Sequence, residues 1–183
     1  MKRTTMATLA VALGLSLYLG TQAAPDELRA GTPDITDGEI AMIAVVAGGI
    51  DVRYAHLALA LSSNEEVRAF ARTMLQDHPA VNAQAGALVE KLGIEPVPSD
   101  VSRQLEREAS AIVDELSKLR GAAFDRRYAR NELAYHEFVN TALREQFIPG
   151  AEHEKFRAAL ETALSVFEGH ERLARAMVES VTD

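Results

Sequence analysis

"SNEEVRAFARTMLQDHPAVNAQAGALVEKLG", residues 63–93, decides the fold. Val67, Phe70, Met74, His78, Val81, Ala85, Leu88 and Leu92 recur at intervals of three and four, which keeps their side chains on one face of an α-helix. Ser63 with Glu66 has the form of a capping box at the start, and Gly93 is a helix stop. Two residues disturb the pattern. His78 puts an ionisable ring where an aliphatic side chain is expected. Pro79 follows it with no N–H to give, which predicts a bend and an unpaired carbonyl at Leu75.

The same periodicity extends in both directions. Upstream, Ile40, Ile43, Ala47, Ile50, Tyr54, Leu57 and Leu61 mark a helix from about Asp37 to Leu61, with Thr36 and Asp37 as candidate caps. Its stretch "IAMIAVVAGGI" is apolar, but Asp51, Arg53 and His56 interrupt it too soon for a membrane span, so it reads as a core helix. Downstream, "IEPVPSD" is a linker, followed by a shorter helix over about Ser99 to Leu119. Gly121 separates it from a longer helix that runs to about Phe147, where "IPG" ends it. The last helix, about Ala151 to Val181, carries Phe156, Leu160, Ala163, Phe167, His170, Ala174 and Met177 in register. No strand pattern occurs. Long helices on short links pack antiparallel, so the chain is expected to be all-α: an up-and-down bundle of four long helices plus one short one, a single domain over 37–183.

The N-terminus has the layout of a secretion signal. Lys2 and Arg3 precede an uncharged apolar run from Met6 to Leu19, and Thr21 and Ala23 have the spacing for cleavage after Ala23. Residues 24–36 read as a flexible leader. The expected location is therefore the periplasm or the exterior, with no stable membrane span once the signal is removed. No cysteine is present, which excludes a disulfide, a cysteine nucleophile and lipid attachment at cysteine. The net charge of −8, with no basic run, gives no electrostatic footprint for nucleic acid. No protein partner can be named from the sequence. No Gly-rich phosphate loop or nucleophile constellation appears, so no catalytic residue is assigned.

The chemistry lies where polar residues interrupt the apolar stripes. Asp51 borders the inner face of the first helix, His78 lies on the second, and His170 on the last. In the helix ending at Phe147 the inward positions are Phe124, Asp125, Tyr128, Glu132, Tyr135, His136, Val139 and Leu143. His56 and His153 fall on outer positions. At about 1.5 Å per residue, Asp51 and His78 share one layer, while Glu132 and His170 fall in another; whether the layers coincide is left open. A cluster of imidazole and carboxylate suits a transition metal: zinc, iron, copper, nickel or manganese. Its candidate ligands are His78, His136, His170, Glu132, Asp51 and Asp125. The Glu-x-x-His spacing of di-iron bundles is absent at all five histidines, which disfavours a ferroxidase-type centre.

With "DH" at 77–78, "FDRRY" at 124–128, His136 eight residues later and His170 followed by Ala174, the chain resembles an exported bacterial family catalogued as domain of unknown function 4142 and described as ferritin-like. The likeness spans about Asp37 to Val178. It implies a ferritin-like bundle in the cell envelope, with His78, Asp125, Tyr128, His136 and His170 as the family's polar positions. Asp51 stands where such sequences tend to carry Glu, and Pro79 is an uncommon neighbour for the histidine. The family has no assigned activity. Two functional readings stand beside each other: a non-enzymatic exported bundle holding a transition metal, and a structural or stress-related envelope protein whose buried histidines only fix helix packing. A metal-dependent redox enzyme is a third, weaker option.

Overall fold

Six α-helical segments and one π-helical segment follow one another in the computed structural model, which describes residues 35–182. The expected signal (1–23) and residues 24–34 of the leader lie outside the described residues. Among the described residues there is no strand.

Helix α1 spans Asp37–Leu61. Thr36 caps it with a full capping box: its side chain accepts from the Glu39 N–H, and Glu39 reaches back to the Thr36 N–H. Asp37 is thus the first helical residue and not the cap. Its carboxylate instead accepts the backbone N–H groups of Glu152 (2.8 Å) and His153 (3.0 Å), tying the start of α1 to the approach of the last helix. Ile40, Ile43, Ile50 and Tyr54 are buried, so the most apolar helix supplies the central wall of the core. It is the one helix among the described residues long and apolar enough to cross a membrane by length and composition.

Helix α2 spans Glu65–Leu92 and continues through Pro79, which lies on its exposed side. The cap is Asn64, one residue after the serine suggested by the sequence pattern. The Asn64 side chain accepts from the N–H groups of Glu66 (2.9 Å) and Val67 (3.2 Å). Ser62 holds the turn, accepting the Asn64 N–H at 3.1 Å. Gly93 ends α2 in the left-handed conformation at φ 69°, which an L side chain adopts only with strain. The stripe along α2 changes character half-way. Val67, Phe70, Met74 and His78 are buried, whereas Val81, Ala85 and Leu88 are only partly so.

Helix α3, Asp100–Leu116, is shorter than expected at its C-terminal end; Ser117 stops it and residues to Arg120 form a turn. Helix α4, Gly121–Ala142, buries Phe124, Tyr128 and Ala129 completely. The helical run that it begins does end at "IPG", at Gly150, but it is not plain α-helix up to that point. Pro149 cannot donate to the Glu145 carbonyl, and the chain widens into a π-helical segment over Leu143–Phe147. There the Ile148 N–H donates to the Leu143 carbonyl five residues back. A short helical turn, α5 (Ile148–Gly150), follows, and α6 spans Glu154–Thr182. Helix α1 packs on α2, α3 and α4, while α6 packs on α4 and α2. The result is a helical bundle with α3 laid against α1.

The two candidate α2 caps make opposite forecasts. Asn64→Ala should cost about 1 kcal/mol of stability, the usual value of a lost N-cap, and Ser63→Ala less than about 0.5 kcal/mol, as at an ordinary surface site. Urea denaturation of both variants reads this directly, and a costlier Ser63→Ala would restore the sequence-based cap.

Candidate metal centre

Each long helix delivers a polar group to one layer of the core. Asp51 comes from the middle of α1, His78 from α2, Glu132 and His136 from α4, and His170 from α6. All five are buried, Asp51 and Glu132 with no exposure. Asp51 Oδ2 is 2.9 Å from His78 Nε2 and 3.2 Å from His136 Nε2. Neither contact is aligned as a hydrogen bond, so both carboxylate oxygens and both ring nitrogens are left without a directed partner. One ligand atom each from His78, His136 and His170 lie within 4.8 Å of one another, as do one each from Asp51, Glu132 and His136. The two groups share His136 and form one continuous cluster. The two layers inferred from helix rise coincide.

The unaligned atoms concentrate here. Asp51 Oδ1 and Oδ2, His78 Nδ1 and Nε2, Glu132 Oε1 and Oε2, His136 Nε2 and His170 Nδ1 are all buried and unpartnered. Each such group costs free energy when it is desolvated without a partner. The other ring nitrogens, by contrast, are held. His136 Nδ1 is 2.9 Å from the Glu132 carbonyl oxygen, to which it can only donate, so its lone pair sits on Nε2 when the ring is neutral. His170 Nε2 is 3.0 Å from the Asp77 carboxylate, leaving Nδ1 turned inward. A ring oriented by a carbonyl or carboxylate behind it is the usual support of a metal-ligating imidazole. Phe167 stacks on His78 at 5.2 Å between ring centroids, and Phe70 meets His136 edge-on at 6.0 Å.

Electrostatics separate the two buried acids. Burial pushes the Asp51 carboxyl up, but the His136 and His78 imidazoles outweigh it and hold the group well below the ordinary carboxylate range. Glu132 goes the other way: burial, then the Asp51 charge, raise it well above its ordinary value. Burial depresses His136 as well, yet the adjoining Asp51 carboxylate carries it above a normal histidine. His170 is lowered, first by burial and then by the two neighbouring imidazoles, against the pull of Asp77. The Tyr128 hydroxyl, beside Glu132 without a formed hydrogen bond, is raised by burial and by both acids.

A family model matches residues 21–177. The chain belongs to that family, Domain of unknown function (DUF4142). Comparison with curated proteins and with solved structures finds no match.

Of the six candidate ligands read from the DUF4142 sequence, five meet in this layer and one does not. Asp125 accepts from the Ser62 hydroxyl at 2.5 Å and so braces the α1–α2 turn against the start of α4; it belongs to neither ligand group. Its inward position on α4 was legible, but the turn that claims it was not. Asp77 was missed in the opposite sense. It neighbours a stripe residue, lies off the stripe, and reaches α6, a placement that only the α2–α6 packing decides. Outside the layer, His56 is exposed and His153 is half exposed, with its ring 2.7 Å from Asp37.

Glu132 supplies a pH test in metal-free protein. Its raised value means that the folded state keeps a proton which the unfolded chain loses above about pH 4.3. Stability from this group therefore declines as pH rises from there toward the folded value. Glu132→Gln removes the effect. With chelator present, its melting temperature relative to the parent should climb between pH 4.5 and 8, and a pH-independent difference would contradict the buried, protonated acid.

Proposed function

We propose that this DUF4142 protein is an exported, ferritin-like helical bundle that binds one transition-metal ion in its core. The observation that carries the reading is the knot of buried, unpartnered nitrogen and oxygen atoms on Asp51, His78, Glu132, His136 and His170. A cation would satisfy them together. The ligand set is His78, His136 and His170 with Asp51. A span of at most 4.8 Å between imidazole ligand atoms closes onto bonds of about 2.0–2.1 Å with small ring rotations. Glu132 lies beside Asp51 and His136 and holds a proton that a cation would displace.

Nitrogen-rich ligation with one or two carboxylates suits zinc, iron, copper or manganese, and the ion would supply Lewis acidity or electron exchange in a water-poor layer. The chain's own groups orient the site. The Glu132 carbonyl and the Asp77 carboxylate fix two rings, and Phe167 and Phe70 exclude solvent from their faces. The ferritin-like arrangement is supported by ligands drawn from four long helices, as in metal-binding bundles generally. Export is supported by the Lys2–Arg3 start, the apolar Met6–Leu19 run and the small residues up to Ala23.

Elemental analysis of purified protein, with melts in the presence and absence of chelator, tests the reading. Metal at a hundredfold excess over its Kd should add about 2.7 kcal/mol of stability. Asp51→Asn and His136→Ala should abolish uptake, Asp77→Asn should weaken it by roughly 10–100-fold, and His56→Ala should leave it unchanged. If zinc, iron, copper and manganese all leave the melt of the parent protein where it was, the histidines are packing groups that fix helix register.

A further inference from the structure

A cavity of about 760 Å³ lies alongside this centre, between α1, the second half of α2, the π-helical segment and the first half of α6. Protein interiors are packed as densely as organic crystals, so a space of this size in a small bundle is a built feature. It falls within the roughly 300–1,000 Å³ range of small-molecule sites. Small residues keep it open: Ala44, Ala47, Ala85, Ala159 and Ala163 line it, where bulkier side chains would take up its space. It also explains why the α2 stripe loses full burial beyond His78, since Val81, Ala85 and Leu88 line it.

Its shape and polarity are directional. Along α2 the lining runs from His78 to Gly93, about 22 Å at helical rise. The mean cross-section is then about 35 Å², room for an extended alkyl chain. The inner end carries Asp51, His78 and His136, and the walls between are almost wholly aliphatic and aromatic. The outer mouth lies at the C-terminal end of α2, beside the exposed acids Glu90 and Glu95, and the half-exposed Val45 lines the side, six residues from Asp51. An anionic head is disfavoured at that acidic mouth. At the inner end, a divalent ion against the single charge of Asp51 leaves a net positive site that a carboxylate complements.

We propose that the cavity takes a single-chain fatty carboxylate, tail toward the mouth and head at the Asp51–His78–His136 end. The placing of the head rests on the metal reading above; the seating of the chain does not. The site would serve a protein that carries a fatty acid, with the head group held beside the residues that would ligate the metal.

The experiment titrates dodecanoate and dodecanol into delipidated intact protein by calorimetry, with stoichiometry from native mass spectrometry and metal content measured on the same samples. One molecule of each probe should bind per chain. Ala85→Phe on α2 and Ala163→Phe on α6, each two turns from the candidate ligand on its own helix, should each weaken both probes at least tenfold while metal content stays at the parent level. Chelation should weaken dodecanoate at least tenfold and leave dodecanol unchanged. Absence of binding by both probes, or equal binding to the parent and both filled variants, overturns the chain site. Dodecanoate binding that ignores the metal overturns the inward head. Protein that takes up no metal sinks the preceding reading and the head placement together, and dodecanol alone still decides the chain site.

Discussion

Asp51 is an ionised carboxylate with no solvent exposure, at the centre of the most apolar helix in the bundle. An isolated charge in that position would cost many kcal/mol, and a protein normally neutralises it or supplies a counter-charge. Here the groups that face it are two imidazoles at 2.9 and 3.2 Å, from two different helices. The constraint propagates. His78 can approach only if α2 lies antiparallel to α1 with the Ser62–Asn64 turn between them, and His136 only if α4 crosses the same level. Glu132, one turn before His136, cannot then carry a second charge and keeps its proton. One buried acid thus sets the register of three helices and the protonation of its neighbour.

The fourth long helix joins through His170, and by a different device. Its Nε2 is spoken for by Asp77, at the partly exposed rim of α2, which turns Nδ1 toward the other two rings. The ring centroids of the three histidines are 5.2 to 6.2 Å apart. Three imidazoles that close cannot all be cationic at once, and His170 is the one driven toward its neutral form. A neutral ring with a free inward nitrogen is a ligand state. The charge pattern and the hydrogen-bond pattern therefore select the same tautomer without reference to any ion.

Helix periodicity made most of this legible in advance, because a side chain every three or four residues fixes which groups face inward. It placed α1 and α2 and put Asp51, His78, Glu132, His136 and His170 on inner faces. Periodicity is silent on how two helices slide past each other, so it could not join the Asp51–His78 layer to the Glu132–His170 layer. Helix ends were less legible, since they depend on single hydrogen bonds. Asn64 and Ser63 are both good caps, and only the path of the turn chooses Asn64. "IPG" reads as a terminator and the helical run does end there, at Gly150, but the backbone first absorbs Pro149 by widening one turn, which the pattern did not show. Asp125 leaves the expected ligand set and Asp77 enters as a support for the same reason: each is decided by a partner on another element, Ser62 and His170.

The bundle is not uniform along its length, and the polar layer sits at the change. Toward the α1–α2 turn, Val67, Phe70, Met74, Phe124 and Tyr128 close the core completely. In the opposite direction alanines and glycines face one another across open space. At Gly48 a Cβ would meet the Asn82 side chain at 2.3 Å, so α1 and α2 touch there through backbone and amide and not through packed aliphatic groups. Leu143 and Phe147, at either end of the π-helical segment, form part of the wall. A core that gives up burial on one side of its charged layer loses stability that filling would have returned. The dense half can tolerate the buried charges because it holds the four helices in place, and the hollow half gives those charges an apolar approach. Placing the ionisable groups at the boundary makes them reachable along the bundle axis while Phe70 and Phe167 still screen their flanks.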